Sequence, residues 1–238
     1  MEPPAPAVVR LPSVDSTQRA LRELAARGAP HRQIVVAECQ TAGYGRRGSP
    51  WESPAGGLWA SVLLRDVPSE RAGLLALAAA LAVREATGRL AGETLRLKWP
   101  NDVVSASGKV AGVLVECLWT VGRCDALVGF GVDCGVERSA FSASLGMTAD
   151  VLPAIDAGRL LDALLPGLFA RLEETPPDEL VCEARAVCVT LGRRVRVRTP
   201  RGDVEGRALG LDDAGRLLVE APDGPVALDA GEVTLSPG

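Results

Sequence analysis

A glycine-rich loop between two apolar strands is the feature that most constrains this fold. Residues 38–59 read ECQTAGYGRRGSPWESPAGGLW and contain five glycines and two prolines, a composition that suits neither a regular helix nor a regular strand. The flanking segments, QIVVAE at 33–38 and LWASVLL at 58–64, are typical of buried strands. A loop of this length in a compact domain is usually a lid, a binding loop or disorder. The sequence therefore predicts a long loop, carrying Arg46 and Arg47, that joins two core strands.

The segment GYGRRG at 43–48 also matches G-x-G-x-x-G, a pattern found in dinucleotide-binding proteins and protein kinases. The dinucleotide motif needs a helix that starts within it, and Pro50 and Pro54 prevent one. Kinases also need an H-R-D and a D-F-G segment, and the sequence has neither. Two interpretations stay open: an enclosed site where backbone N–H groups and guanidinium groups bind a carboxylate or phosphate, and a solvated loop without a ligand.

Charge and hydropathy exclude several classes of function. The formal net charge is −4 and the pI is near 5.2, so the broad basic surface of a DNA-binding protein is not expected. No apolar run reaches the roughly 20 residues of a membrane span, and MEPPAPAVVR lacks the features of a signal peptide. We therefore predict a cytoplasmic protein without a membrane partner. The six cysteines form no C-x-x-C pair and the chain has one histidine, so we predict no metal site in the protein alone.

The segments on either side of the loop predict helices packed on a sheet. VVRLPSVDSTQRALRELAARGAP, from residue 8, predicts a strand and then a helix with its cap among residues 15–17 and its end at Gly28. A second helix is expected from residues 68–69 to about residue 86, and its apolar middle predicts packing on both sides. Two more helices are predicted over residues 156–174 and 177–187.

The stretch LRLKWPNDVVSASGKVAGVLVECLW, residues 95–119, predicts a hairpin whose first strand is interrupted at Pro100. Lys109 follows the turn, and the small residue Gly112 would let a ligand approach the backbone. A buried lysine is costly unless it meets an anion, whereas an exposed lysine beside a turn is commonplace. These residues alone leave both interpretations of Lys109 open. ALVGFGV, within residues 124–134, predicts another core strand.

The pattern changes at Val189 to short alternating segments separated by PRGD, DDAG and PDG turns. Five such strands in about fifty residues are typical of a small barrel of the SH3 or OB kind. We therefore predict two domains, residues 1–188 and residues 189–238. A run of arginines in the segment RRVRVRT, residues 193–199, predicts either a charged edge strand or a contact with phosphate or an acidic partner. Its members are Arg193, Arg194, Arg196 and Arg198.

Four separate segments together resemble the biotin–protein ligases, in that family's order and spacing. They are DST at 15–17, QTAGYGRRG at 40–48 with Trp51, KWPND at 98–102 and GKVAGVLVE at 108–116. The resemblance continues through GFGVDCGV at 129–136 into the C-terminal segments, so it covers nearly the whole chain. It implies an α+β fold: a central mixed β-sheet packed with helices, like that of class II synthetases, followed by a small SH3-like β-barrel. It also implies the short form of the enzyme, because about fifteen residues precede Ser16 and leave no room for an N-terminal DNA-binding domain.

The resemblance implies an ATP-dependent ligase that forms an acyl-adenylate. The carboxylate of biotin attacks the α-phosphorus of ATP and releases pyrophosphate, and a lysine amine of an acceptor then takes the acyl group. ATP and Mg²⁺ are the implied cofactors and biotin the implied substrate. The implied partner is the biotin carboxyl carrier protein domain of a biotin-dependent carboxylase, with monomer and homodimer both open. Both steps require that negative charge on carboxylate and phosphate be neutralised.

The residue roles follow position by position from the same resemblance. Lys109, Arg46 and Asp102 are the implied catalytic residues, and Asp102 is placed to position or deprotonate the incoming lysine. Trp51 would close over the adenylate and exclude water. The implied substrate-binding residues are Ser16, Thr17, Gln18, Gln40, Gly43, Tyr44, Gly45, Arg46, Lys109 and Gly112, and the implied nucleotide-binding residues are Arg46, Arg47, Trp51, Asn101, Lys109 and Asp133.

Three of these positions depart from the family pattern. Gln18 stands where an asparagine is usual and is one methylene longer, and Tyr44 replaces an arginine of the loop. Asp133 replaces an asparagine and adds a negative charge near the nucleotide, where it would repel phosphate or hold Mg²⁺. The departures indicate either compensated drift in a biotin ligase or a relative that adenylates a different small carboxylic acid. A non-catalytic binding protein is the third hypothesis, and the presence of both Lys109 and Arg46 argues against it.

Overall fold

The computed structural model describes residues 6–141, 150–152, 155–222 and 224–235. A first sheet comprises β1 (Val8–Val14), β2 (Ile34–Gln40), β3 (Leu58–Pro68), β4 (Arg96–Lys98), β5 (Asp102–Val104), β6 (Lys109–Thr120) and β7 (Arg123–Val132). A second comprises β8 (Arg194–Thr199), β9 (Gly202–Leu211), β10 (Leu217–Ala221), β11 (Gly224–Leu228) and β12 (Glu232–Leu235). The helices are α1 (Thr17–Ala26), α2 (Ser69–Ala72), α3 (Leu75–Ala91), α4 (Ala157–Phe169) and α5 (Pro177–Val187). None of the helices in these ranges is long and apolar enough to cross a membrane.

The seven-stranded sheet is mixed and has the order β1-β2-β3-β7-β6-β5-β4. β1 and β2 are parallel because α1 connects them, and every other neighbouring pair among the described strands is antiparallel. Helices cover both faces. Leu63 of β3 packs in one cluster with Leu21 of α1, whereas its neighbours Val62 and Leu64 pack in the cluster that contains α3. The predicted α+β fold class is confirmed, with the central strands buried on both faces.

Local sequence signals place the helix ends where the backbone needs a partner. Ser16 is the cap of α1, and its side chain accepts a hydrogen bond from the backbone N–H of Gln18 at 3.2 Å. The predicted helix of residues 68–86 is in fact two helices, α2 and α3, separated at Gly73 and Leu74. α3 also extends further than predicted and ends at Gly92, which has a left-handed φ of 68°. The predicted helix over 156–174 is α4 followed by one wider helical turn over residues 170–174.

The C-terminal strands form an antiparallel sheet with the order β11-β10-β9-β8-β12. This five-stranded antiparallel arrangement agrees with the predicted SH3-like unit, although among the described residues no strand pair joins β11 to β12. Val189–Gly192, predicted to begin the strands, is a turn instead. The sheet docks against the edge of the first sheet, where the indole N–H of Trp99 donates to the carbonyl of Gly215 at 3.0 Å.

Candidate active site

A cavity of about 730 Å³ lies beside the N-terminus of α1, between the glycine-rich loop and the second sheet. Strands β3, β5, β6 and β7 contribute its floor, and residues 231–235 contribute part of its far wall. The structure brings every predicted site residue to its lining except Gly43 and Asp133. The predicted residues in the lining are Ser16, Thr17, Gln18, Gln40, Tyr44, Gly45, Arg46, Arg47, Trp51, Asn101, Asp102, Lys109 and Gly112.

One end of the cavity is a buried network of uncharged polar groups. The amide oxygen of Gln40 accepts from the backbone N–H of Thr17 at 2.8 Å and from its hydroxyl at 3.2 Å. The Thr17 hydroxyl also lies 2.9 Å from the hydroxyl of Ser61, and the Gln40 amide nitrogen donates to Ser53 at 2.7 Å. This network fixes the orientation of the Gln40 amide, so its polar atoms are held ready for a ligand.

The Gln18 side chain reaches from α1 to β7. Its amide nitrogen donates to the carbonyl of Leu127 at 3.0 Å, and its amide oxygen is buried without a hydrogen-bond partner among the described residues. A Cβ at Gly129 would lie 2.8 Å from that oxygen. The oxygen therefore rests over the bare backbone of Gly129.

The loop closes over the cavity through Trp51. Its ring lies on two paired glycines of β6 and β7, since a Cβ at Gly131 would be 2.6 Å from the indole nitrogen and one at Gly112 would be 3.1 Å from the ring. Gly43 has the same kind of restriction, because a Cβ there would lie 2.6 Å from the carbonyl oxygen of Trp51. Gly43 thus supports the loop from outside the lining and is not itself in it.

Tyr44 anchors the loop on the side that faces α1 and β6. Its hydroxyl donates to Glu116 of β6 at 3.1 Å, and the guanidinium of Arg19 lies 4.9 Å from the centroid of its ring. Glu116 also pairs with Arg22 at 3.0 Å. Burial and the Glu116 carboxylate raise the pKa of the Tyr44 phenol, so this side chain is a neutral hydrogen-bond donor. The residue that replaces a loop cation therefore ties the loop to α1 and β6.

Lys109 occupies the middle of the cavity. Its ammonium pairs with Asp102 at 2.6 Å and lies 4.8 Å from the centroid of the Trp51 ring. The side chain is 33% exposed, so a ligand can reach the ammonium. Lys109 therefore lies inside the cavity with a carboxylate and an aromatic ring as its partners.

Arg46 lies at the far end of the cavity. Its guanidinium donates to the side-chain oxygen of Asn101 at 3.0 Å and to the carbonyl of Gly231 at 3.1 Å. Asn101 is in turn held by a 2.6 Å bond to the carbonyl of Val113. Burial lowers the pKa of the Arg46 guanidinium, which indicates that its charge is poorly solvated and would gain from a nearby anion. Arg47 follows in a turn with a left-handed φ of 59°.

Asp133 lies behind the cavity. It is buried, and one of its carboxylate oxygens has no hydrogen-bond partner among the described residues. Burial raises the pKa of this carboxyl to about 7, while the charge of Lys109 opposes the rise. Asp133 is not among the described residues that line the cavity, and its contact with a nucleotide, which the resemblance implied, stays a prediction.

Several cavity residues were missed by the sequence analysis. Ser61, Gly129 and Gly131 line it from β3 and β7, and Lys98 lines it from β4. The alternate glycines in GFGV were a usable signal, because a glycine in a strand often marks close approach of a ligand to the backbone. The second sheet contributes Arg198, for which the arginine run had allowed a contact with phosphate, and residues 231–235, which no local pattern could have assigned to a site formed by the first sheet.

Two family models match this chain over more than half of its length. Residues 11–133 match the model of the biotin/lipoate A/B protein ligase family, and residues 190–236 match that of the biotin protein ligase C-terminal domain. The biotin–(acetyl-CoA-carboxylase) ligase of Mycobacterium tuberculosis is 36% identical over 230 residues, which cover 92% of this chain and 85% of the relative. The enzyme of the same name from Paracoccus denitrificans is 34% identical over 239 residues, which cover 94% and 98%.

Among solved structures, the biotin protein ligase of Aquifex aeolicus in complex with biotin and ATP is similar over the whole fold. Its TM-score is 0.81 with 28% identity, and the match covers 98% of this chain and 99% of that one. The likeness therefore includes both sheets.

Proposed function

The chain belongs to the biotin/lipoate A/B protein ligase family, and on that premise we infer that it is an ATP-dependent biotin–protein ligase. It joins biotin to AMP with release of pyrophosphate and then transfers the biotinyl group to a protein lysine. The observation that carries this inference is the placement of Lys109 between the uncharged polar end of the cavity and Arg46. One cavity thus offers hydrogen-bonding groups and cations in the order in which biotin and ATP present their groups.

The uncharged end suits the polar ring head of biotin. The hydroxyls of Ser16 and Thr17 and the amide of Gln40 supply both donors and acceptors. The unpartnered oxygen of Gln18 would accept from a ring N–H. This oxygen favours the hypothesis of compensated drift in a biotin ligase over the hypothesis of a different acid substrate. An acid without an N–H group would leave the oxygen without a hydrogen-bond partner.

The first step is an attack by a biotin carboxylate oxygen on the α-phosphorus of ATP. The bond from that phosphorus to the β-phosphate oxygen breaks, and pyrophosphate leaves with the electron pair. Lys109 and Arg46 neutralise charge on the carboxylate and the phosphate in a site that Trp51 shields from water. Arg47 and Asn101 complete the nucleotide end.

The second step needs a neutral amine from the acceptor lysine. Asp102 accepts the proton that this amine loses, and its 2.6 Å pairing with Lys109 holds it at the reacting centre. The amine attacks the acyl carbon, AMP leaves, and an amide remains. We propose a biotin carboxyl carrier protein domain as the acceptor, because the relatives from M. tuberculosis and P. denitrificans are named for acetyl-CoA carboxylase.

Mg²⁺ has no dedicated protein site in this proposal. No group of three or more acidic, histidine or cysteine side chains that would hold a metal occurs within the described ranges. The carboxylates in the described lining, Asp102 and Glu232, are both in ion pairs. Such a site does not fit a metal held by the protein, so Mg²⁺ enters only with the phosphates of ATP.

We also propose that the two predicted domains have different roles. Residues 1–188 carry the chemistry, and residues 189–238 close the nucleotide end of the cavity through Gly231. A single copy of the chain is sufficient, since every residue used here lines one cavity or supports it.

The test is exchange of labelled pyrophosphate into ATP, measured with biotin, with lipoate and with no acid, followed by transfer to a purified carrier domain. We expect exchange with biotin and biotinylation of the carrier lysine. Exchange with another acid and none with biotin would overturn the assignment.

The double change Gln18→Asn with Tyr44→Arg restores two residue types usual in the family and separates drift from new specificity. Under compensated drift it should alter biotin adenylation less than about tenfold, because the polar partners of the ring head are already present. A large gain in biotin adenylation would instead indicate that the native chain serves a different acid.

A further inference from the structure

The alternating arginines of β8 are not explained by the function proposed above. A strand at the edge of a sheet is often charged, because charge discourages pairing with other chains. β8, however, lies inside the second sheet, hydrogen-bonded to β9 on one side and to β12 on the other. Protection of an edge therefore does not account for these arginines, and the other interpretation of the run, a contact with phosphate, has to be considered.

Two of these arginines have similar exposure and similar ion pairs, but they differ in whether they line the cavity. Arg196 and Arg198 point to the same face of β8 because they are two residues apart, and their side chains are 59% and 63% exposed. Arg196 pairs with Glu205 of β9 at 2.6 Å. Arg198 turns to the other neighbouring strand, where it lies 3.6 Å from Glu232, and both members of this looser pair line the cavity, whereas Arg196 is not in the described lining.

Arg198 lines the same end of the cavity as Arg46. Arg46 donates to the carbonyl of Gly231, and Gly231 precedes Glu232, the partner of Arg198. The turn before β12 therefore lies between the two guanidinium groups. A chain of phosphates that starts at Arg46 and Lys109 and runs outward along this wall would reach Arg198.

We propose that Arg198 binds the β- and γ-phosphates of ATP and the departing pyrophosphate. This inference rests on the proposed function and extends it to a residue of the second sheet. Negative charge on the β-phosphate increases as its bond to the α-phosphorus breaks, and the pyrophosphate that leaves keeps the electron pair. Arg198 neutralises that charge from outside the loop and so supplies a cation in place of the one that Tyr44 removed.

Glu232 gives the proposal a second consequence. In the structure it holds Arg198 by a weak, solvent-exposed pair, and phosphate has to replace it. Removing the Glu232 charge should therefore free Arg198 and favour ATP, whereas removing the Arg198 charge should disfavour ATP. These opposite effects would not be expected if the pair only stabilised the second sheet.

The experiment measures biotin-dependent pyrophosphate exchange with the full chain at varied ATP and at varied biotin. We compare Arg198→Ala, Arg198→Lys, Glu232→Gln and the matched control Arg196→Ala. Arg198→Ala should raise the KM for ATP about tenfold, the effect of one lost charge-assisted contact, with an unchanged KM for biotin. Arg198→Lys should recover most of the loss, Glu232→Gln should lower the KM for ATP, and Arg196→Ala should behave like the native chain.

Transfer from preformed biotinyl-AMP to the carrier domain is measured in parallel. Because pyrophosphate has already left, Arg198→Ala should transfer biotin at the native rate. An effect confined to this second step would show that Arg198 meets an acidic surface of the carrier, and it would overturn the proposal. Equal KM values for ATP in Arg198→Ala and Arg196→Ala would overturn it as well. Absence of biotin-dependent exchange in the native chain would instead refute the proposed function itself.

Discussion

Lys109 illustrates how one side chain can be satisfied in the free protein and still available to a substrate. Its ammonium has a carboxylate partner, Asp102, and an aromatic face, Trp51, so it is stable without ligand. Its partial exposure means that the ion pair is screened by water and can rearrange when an anion arrives. The same contacts therefore hold Lys109 in place and leave its charge ready for a carboxylate or phosphate.

Lys109→Ala should abolish adenylation while the fold remains intact. An enclosed cation that meets the transferring group contributes on the order of a hundredfold or more to the rate, so exchange of pyrophosphate should fall by at least that factor. Arg123→Ala is the control, since Arg123 is an exposed cation at the far end of the same pair of strands. Native activity in Lys109→Ala would establish that this lysine is not catalytic.

Asp133 should make stability depend on pH. Because its pKa in the folded chain is about 7, above the usual 3.8, the folded state keeps a proton that the unfolded state releases between these values. Its contribution to the free energy of unfolding is therefore greatest below pH 4 and is lost as pH rises towards 7, by up to about 1.4 kcal/mol per pH unit.

The measurement is urea unfolding of the native chain and of Asp133→Asn at pH 5 and at pH 8. All other titrating groups are common to the two proteins, so the difference between them isolates Asp133. Between pH 5 and pH 8 the free energy of unfolding of the variant should rise, relative to that of the native chain, by about 2 kcal/mol. A difference that does not change with pH would mean that Asp133 titrates normally.

At the scale of elements, the loop between β2 and β3 is held at both ends and at its centre. Gln40 bridges Ser53, Tyr44 bridges Pro50, and the Tyr44 hydroxyl bonds Glu116. The glycine content favours a loop that becomes ordered only with ligand, and Tyr44 acts against that tendency. The position of the loop therefore reflects a balance between backbone freedom and one side-chain anchor.

Tyr44→Phe should loosen this loop in the absence of ligand. Loss of the bond to Glu116 should increase tryptic cleavage after Arg46 and Arg47 several-fold, because cleavage follows the population of the open loop. Biotin with ATP should protect both the variant and the native chain by closing the loop over the adenylate. Cleavage rates that are unaffected by ligand in either protein would rule out a closing lid.

Elements whose signals are local were predictable from the sequence. The hairpin of β5 and β6, the cap at Ser16 and the helix α5 follow from turn residues, capping and periodicity. The prediction that β4 and β5 form one interrupted strand was wrong, because the chain reverses at Pro100 and the two strands pair antiparallel. The interruption of the predicted helix at Gly73 and the turn over residues 189–192 could not be predicted in this way, because packing against residues distant in sequence decides them. The same distinction holds at the site. The motif residues could be predicted, whereas Ser61 and Gly231 could not, because they reach the cavity only through the order of the strands.

At the scale of the whole molecule, the two sheets share one hydrophobic core. Leu97 and Trp99 of the first sheet belong to the same buried cluster as Val195 and Leu217 of the second. A hydrogen bond also joins these two parts of the chain, since the backbone N–H of Trp99 donates to the Thr190 hydroxyl at 3.1 Å. The predicted domains are therefore joined by packing of the kind found inside a single domain.

Thermal unfolding should accordingly show one cooperative transition, because separating the sheets would expose buried apolar surface on both. Residues 1–188 expressed alone should unfold at a lower temperature than the full chain, because Trp99 would lose the residues of the second sheet that bury it. Calorimetry measures both. Two resolved transitions in the full chain would demonstrate independent domains.

The cavity also contains both lysines of this sequence, Lys98 and Lys109, although the chain has 26 lysines and arginines together. Arginine stays protonated and does not act as an amine nucleophile. An activated acyl group that escapes from the enzyme would therefore meet no lysine on the rest of the enzyme's own surface. The enzyme's own lysines are thus confined to the cavity, and away from it the lysines that an escaped acyl group can meet belong to other molecules.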